Sequence, residues 1–294
     1  MIIKVEKYMQ VIRAKTAGTC WGVDLALRKL SQSIENKEKA NTRFVMYGLI
    51  IHNPQVIVEY KAQGVICVDS IEEVRAGDTV IIRAHGIPIY EEQQLTDIGI
   101  NLIDATCPKV KKTQLAIANA TNSETILLLF GEANHPEVKG LISYSQGPFH
   151  VFDTKQFVED FDNSQNKTIV LASQTTQDEI TFKEIQEILH QKGIQPVILN
   201  TICDATYKRQ RELLSITEQV NTMVVVGGFT SGNTRRLVEL SKAKGIKTFH
   251  IETVDALYGN NELDQNDIIG LTGGASTPKQ LIDKVEDFLS NNLS

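Results

Sequence analysis

The chain has 294 residues, a formal charge of −6, and apolar and charged fractions of 41% and 22%, the proportions of a soluble globular protein. That length allows two or three ordinary domains. The mild negative charge argues against non-specific nucleic-acid binding but leaves room for a locally positive pocket. No run approaches the roughly 18–20 apolar residues of a membrane span. The start, MIIKVEKYMQVIRAKTAG, lacks the apolar centre of a signal peptide, so a cytoplasmic protein is expected.

In chain order, QVIRAKTAG reads as a strand running into Cys20, and WGVDLALRKL as a helix leaving it. FVMYG is an apolar strand ending at Gly48, followed by a polar loop with His52 and Pro54. GVICVD is a further strand, within which Cys67 reads as a small buried hydrophobe. VIIRAHGIP is a strand that meets a loop carrying His85. The pattern then restarts. INLIDAT leads into Cys107 and the helix PKVKKTQLAIANA, then ILLLFG into a loop with His135 and Glu137. HVFD and IVLAS follow, the second ending at Gln174, Thr175 and Thr176. A third round runs from PVILNTI through Cys203 into DATYKRQRELLSI. MVVVG then meets a loop with Ser231, Gly232 and Asn233, and IIGLTGG meets Ser276 and Thr277 before the last helix, PKQLIDKVEDFLS.

Three cysteines thus recur at strand-to-helix junctions, 87 and 96 residues apart, which marks an internal repeat. Four residues on from Gly48, Gly131 and Gly227 stand His52, His135 and Ser231, and two further on stand Pro54, Glu137 and Asn233. Strands alternating with helices imply mainly parallel α/β sheets, with ligands beyond the carboxyl ends of the strands. The repeat predicts three α/β domains, 1–106, 107–202 and 203–294 with the C-terminal helix. Packed about a pseudo-threefold axis, they would bring three thiols to one point inside six polar loops.

Four cysteines without a C-x-x-C pair argue against a disulfide framework, a zinc ribbon and a thioredoxin-type motif. Three thiolates could hold zinc or an iron–sulfur cluster, and both stay open on the residues alone. The cluster is favoured because structural zinc usually takes four protein ligands. A [4Fe–4S] cluster on three cysteines keeps one iron open to water or substrate. The loops offer His52, His85, His135, Thr175, Ser231, Asn233 and Ser276, the imidazoles, hydroxyls and amide that a diphosphate needs. His150, His190 and His250 fall in strand-like or helix-like runs and read as structural. Glu137 has two open readings: a first-turn glutamate after Pro136, favoured by the helix dipole, or a proton carrier.

The segments AGTCWGVDLAL, IIHNPQV, RAHGI, DATCPKV, GEANHPEVKG, SQTT, NTICDAT, TSGNTRRL and GGASTP follow one another from about Cys20 to Pro278. In that order the sequence resembles the 4-hydroxy-3-methylbut-2-enyl diphosphate reductase (LytB/IspH) family. HPEVKG and DATCP are specific, whereas GGASTP alone would be weak. The resemblance implies an α/β trefoil around a [4Fe–4S] cluster on Cys20, Cys107 and Cys203. It implies that His52, His85, His135, Ser231, Asn233 and Ser276 bind the substrate diphosphate, and that Glu137 and Thr175 serve its hydroxyl end and proton network. The implied reaction is reductive dehydroxylation to isopentenyl and dimethylallyl diphosphate, the last step of the non-mevalonate isoprenoid pathway, with ferredoxin or flavodoxin as electron donor.

Departures from the family pattern are local. Thr19 and Trp21 flank Cys20, where the family usually has Phe before the cysteine and a small residue or Met after it. Gly232 stands where a second serine is common, so a backbone N–H is expected to replace a hydroxyl. No lid from a long C-terminal tail is expected. Two rival functions fit a three-cysteine cluster. A hydro-lyase of hydroxy acids would be expected to present arginines to carboxylates, yet Arg83 and Arg235 are not repeat-equivalent. A non-catalytic sensor needs no ring of diphosphate ligands.

Overall fold

A computed structural model of the chain describes residues 10–40, 42–259, 262–264 and 266–291. Strands and helices alternate along it. β1 (Gln10–Arg13), α1 (Trp21–Ala40), β2 (Phe44–Tyr47), α2 (Pro54–Ala62), β3 (Ile66–Val68), β4 (Thr79–Ile82), α3 (Ile89–Asp97) and β5 (Asn101–Asp104) come first. Next are α4 (Pro108–Ala120), β6 (Thr125–Phe130), α5 (Pro136–Ile142), β7 (Phe149–Phe152), α6 (Lys155–Asp160), β8 (Thr168–Ser173), α7 (Glu179–Gln191) and β9 (Val197–Ile198). The last are α8 (Asp204–Thr217), β10 (Thr222–Val226), α9 (Gly232–Ala243), β11 (Lys247–Ile251), β12 (Ile268–Gly273) and α10 (Lys279–Asn291). Among the described residues no helix is long and apolar enough to cross a membrane.

The strands form three four-stranded sheets, and every pairing is parallel. Two compact units hold them. One comprises the described residues of Met1–Cys20, His52–Pro54 and Asp204–Ser294; the other comprises Trp21–Ile51 and Gln55–Cys203. The second unit contains the sheets β3-β2-β4-β5 and β7-β6-β8-β9, which share one strand order. The first unit contains β11-β10-β12-β1, the same order with the N-terminal strand in the fourth place.

Parallel strands need helical crossovers, so helices cover both sheet faces and the central strands must be apolar on both sides. β2, β6 and β10 are accordingly buried at every residue. Alternate residues serve opposite faces. Phe44, Met46 and Ile81 pack with Leu30 and Ile57 on one side of the first sheet, while Val45, Tyr47, Val80 and Ile82 pack with Leu95 on the other. Truncating a fully buried side chain such as Phe44 to alanine should cost about 3–5 kcal/mol. α10 shows the matching helical pattern, with Ile282, Val285 and Leu289 buried on one face. The consequence for function is directional: all strands of a sheet point their carboxyl ends one way, and the loops at that end carry the predicted site residues.

Candidate active site

Each of the three repeated cysteines follows the strand in the fourth place of a sheet: Cys20 after β1, Cys107 after β5 and Cys203 after β9. Each backbone N–H donates to a carbonyl just past the third-place strand of the same sheet. The acceptors are Ala275 for Cys20 at 3.0 Å, Ala84 for Cys107 at 2.9 Å and Thr175 for Cys203 at 2.9 Å. The acceptor loops close with one turn. Gly86 N–H donates to Arg83 O at 3.0 Å, Gln177 N–H to Gln174 O at 3.1 Å, and Thr277 N–H to Gly274 O at 3.0 Å. The backbone therefore makes Ala84, Thr175 and Ala275 equivalent, with His85, Thr176 and Ser276 next along. Every cysteine is tied to a loop that carries a predicted ligand-binding residue.

All three are half-buried cysteines outside any disulfide, each at the start of a helix. Soft thiolate donors in one repeated register suit an iron–sulfur cluster and would suit magnesium or calcium poorly. Cys67 differs, as expected. It lies in β3 with its Sγ 4.0 Å from Met46 Sδ, packed on the apolar core, and burial pushes its thiol pKa up. Trp21 is 64% exposed, so this departure beside Cys20 adds a surface ring rather than core packing.

The loop after β6 and the loop after β8 build one polar corner of their unit. Pro136 opens α5, and His135 caps it: Glu137 N–H donates to His135 Nδ1 at 3.1 Å. An accepting Nδ1 puts the proton of the neutral ring on Nε2. His85 meets His135 edge-on, ring centroids 5.5 Å apart. Glu137 is only 2% exposed, and its carboxylate accepts from Thr175 twice, N–H to Oε1 at 2.6 Å and Oγ1–H to Oε2 at 2.9 Å. Burial raises its pKa to about 7, against the opposing pull of the two Thr175 hydrogen bonds. Half of such groups carry a proton near neutral pH. Gln174, fully buried beside Thr175, holds both loops, accepting from Glu132 N–H at 3.1 Å and donating to Thr176 Oγ1 at 3.1 Å.

The other unit has a polar corner of its own, built from the loops after β10 and β12 and the short segment at His52. Ser276 Oγ lies 3.2 Å from His52 O and 3.3 Å from Ser231 Oγ, and Thr230 Oγ1 is 3.5 Å from His52 Nδ1. Gly228 permits the approach, since a Cβ there would stand 2.6 Å from His52 O. Ser231 caps α9, and Gly232 and Asn233 form its first turn, where N–H groups lack partners within the helix. Asn233 is 4% exposed, yet neither its Oδ1 nor its Nδ2 has a partner among the described residues. An unpaired buried amide costs roughly 1–3 kcal/mol. Such a group ordinarily takes a water or a ligand as its partner.

The model of the family described as LytB protein matches residues 11–290. The chain belongs to that family. It is 49% identical over 286 residues to the 4-hydroxy-3-methylbut-2-enyl diphosphate reductase of Desulfovibrio desulfuricans, a match covering 96% of this chain and 100% of that one. It is 38% identical over 282 residues to the enzyme of the same name from Geobacter sulfurreducens, covering 94% and 95%. Among solved structures it is similar to the E-1-hydroxy-2-methyl-but-2-enyl-4-diphosphate reductase from Plasmodium falciparum, with a TM-score of 0.87, 26% identity, and coverage of 97% and 89%.

Against the LytB motifs, the loop register needs one correction. Gly48, Gly131 and Gly227 are equivalent, because each N–H donates to the last residue of the neighbouring strand: Val68 at 2.8 Å, Phe152 at 2.7 Å and Ile251 at 2.8 Å. α2, however, starts at Pro54, six residues after its glycine, whereas α5 and α9 start five after theirs. The first loop is one residue longer, so Gln55 rather than Pro54 stands opposite Glu137 and Asn233. Gln174 carried no assigned role in the sequence, although its place beside Thr175 in the SQTT motif was the available signal. The two strand histidines serve structure, as expected. His250 Nε2 lies 2.9 Å from Gly227 O, and His150 packs against Phe157 and Phe161.

Proposed function

We propose that the chain reduces 4-hydroxy-3-methylbut-2-enyl diphosphate to isopentenyl and dimethylallyl diphosphate. The observation that carries this reading is the buried Glu137–Thr175 pair, an acid poised near neutrality beside a hydroxyl that can relay its proton. The names borne by full-length relatives point the same way. The reaction breaks one allylic C–O bond, takes up two electrons and two protons, and releases water.

The chain's own residues divide the work. His52, His85, His135, Ser231, Asn233 and Ser276, with the N–H of Gly232, hold the diphosphate by charge-assisted and neutral hydrogen bonds. Binding at that end fixes the reacting hydroxyl at the other. Ionised Glu137 accepts the Thr175 hydroxyl proton. When Glu137 is protonated the bond reverses: the acid donates to Thr175 Oγ1, and the threonine proton is free to turn toward the substrate oxygen. The oxygen then leaves as water, not hydroxide.

Cys20, Cys107 and Cys203 would hold a [4Fe–4S] cluster. Such a cluster, with one iron lacking a protein ligand, supplies single electrons and Lewis acidity. Ferredoxin or flavodoxin would deliver the electrons. A reducing cytoplasm, which keeps thiols out of disulfides, suits these cysteines, and the repeat would divide the chain at 106/107 and 202/203, with β1 added to the sheet of the last segment. The test is anaerobic turnover of the allylic diphosphate with a chemical reductant. Both isomeric diphosphates should form, with two electrons consumed per molecule. Dehydration without electron uptake would instead make the protein a hydro-lyase.

A further inference from the structure

The loops into the three cysteines differ in length. Two residues separate β5 from Cys107 and four separate β9 from Cys203, but six separate β1 from Cys20. All three loops begin with a bond to their own sheet, Ala14 N–H to Leu271 O at 2.8 Å in the longest, and that hold covers most of the shorter two. Ala105 N–H donates to Ile82 O and Leu199 N–H to Leu171 O, while Thr106 N–H donates to Asp104 Oδ1 and Ser173 N–H to Thr201 Oγ1. A longer loop has more conformational freedom to lose, and unless braced it places its last residue less sharply.

The brace for residues 14–19 comes from one face of α8. Glu212 accepts three hydrogen bonds from the loop: Lys15 N–H at 2.7 Å, Thr16 N–H at 2.9 Å and Thr16 Oγ1–H at 2.5 Å. One turn earlier on the same face, buried Arg209 donates through Nη2 to Gly18 O and through Nη1 to Ala205 O at 3.4 Å. Gly18 has a φ of +124°, which side-chain-bearing residues rarely adopt, so its carbonyl reaches the guanidinium through a glycine-only conformation. Two residues later the Cys20 N–H meets Ala275 O. Both charged side chains thus act on the stretch that sets where the Cys20 thiol lies.

We propose that Arg209 and Glu212 are positioning residues that clamp the loop before Cys20. Cys20 is then the cluster ligand whose placement depends on charged side chains reaching in from a separate helix, whereas the stretches before Cys107 and Cys203 are held by backbone bonds and by their own Asp104 and Thr201. This rests on the cluster assignment above for its consequence, but the clamp itself can be read without iron.

The first measurement is alkylation of the iron-free chain by iodoacetamide, followed at each cysteine by mass spectrometry. Glu212→Gln keeps the shape but offers one accepting oxygen in place of two. Cys20 should react about tenfold faster, the ratio expected from losing about one charge-assisted hydrogen bond, with Cys107 and Cys203 unchanged. Arg209→Lys should act in the same direction, and Glu218→Gln, an exposed site beyond α8, should do nothing. The second measurement is anaerobic iron release to a chelator after reconstitution, which should accelerate in the same two variants. Unchanged Cys20 reactivity in both overturns the clamp. So does a rise shared by all three cysteines, which signals general loosening. A wild-type chain that takes up no iron would defeat the cluster assignment, while the alkylation pattern still decides the clamp.

Discussion

The corner at Glu137 and the corner at Asn233 are built on one backbone plan and finished in opposite ways. Both follow a buried parallel strand, both place the residue in the first turn of a helix, and both face a loop closed by the same turn. Glu137 is internally satisfied: its two oxygens take both donors of Thr175. Asn233 is buried with both polar atoms unpaired. The difference teaches how one fold separates two tasks. Under the proposed function, the buried acid with its own hydroxyl partner would hold and pass a proton, whereas the amide would make a substrate contact.

Removing a cysteine should erase the setting in which either corner matters. Serine at Cys20, Cys107 or Cys203 should abolish the iron–sulfur absorption of anaerobically purified protein together with its activity. Metal analysis showing a single zinc per chain in place of iron would break this assignment.

The acid corner should impose a pH dependence that the amide corner lacks. Only protonated Glu137 can donate, so kcat should fall as pH rises above about 7, approaching tenfold per unit. Stability follows the same proton. The folded pKa is raised from the ordinary 4.5 to about 7, so the folded chain binds more protons between those values and loses stability as pH rises through that window. The total is on the order of 3 kcal/mol, and Glu137→Gln should flatten it in urea titrations at several pH values.

Deleting a donor at each corner should separate them further. Thr175→Val leaves a buried carboxyl without its hydroxyl donor and should cost about 1–3 kcal/mol. Asn233→Ala removes two unpaired atoms and should be neutral or stabilising by up to about 1 kcal/mol, after the small loss of packing. Equal destabilisation would erase the contrast. The smallest effect on activity belongs to Cys67→Ser, outside both corners: cluster and turnover intact, with about 1 kcal/mol of stability lost from burying a hydroxyl.

Much of this arrangement was legible in the sequence because it is written as repetition. Apolar runs ending at Gly48, Gly131 and Gly227 gave the central strands, and recurrence of cysteine at strand-to-helix junctions gave the equivalence that the backbone hydrogen bonds reproduce. Three things were not legible. The pairing of β1 with β12 is a long-range choice that an edge strand of four residues does not encode. The extra residue before Pro54 was hidden because His52 and His135 align by count while the helices do not. The grip of Glu212 on Lys15 and Thr16 spans almost the whole chain, and a glutamate on an amphipathic helix gives no sign of such a partner.

The account stands most directly on a division of labour between the two corners, and steady-state kinetics of Glu137→Gln and Asn233→Ala, measured side by side under anaerobic reduction, reads that division. For Glu137→Gln, kcat should fall by about 100-fold or more with KM nearly unchanged, because a positioned proton donor is lost and shape is kept. For Asn233→Ala, KM should rise about tenfold with kcat nearly unchanged, because a contact equal in ground and transition states is lost. If both variants move the same parameter, or Glu137→Gln turns over normally, the glutamate is no proton donor and the division of labour fails.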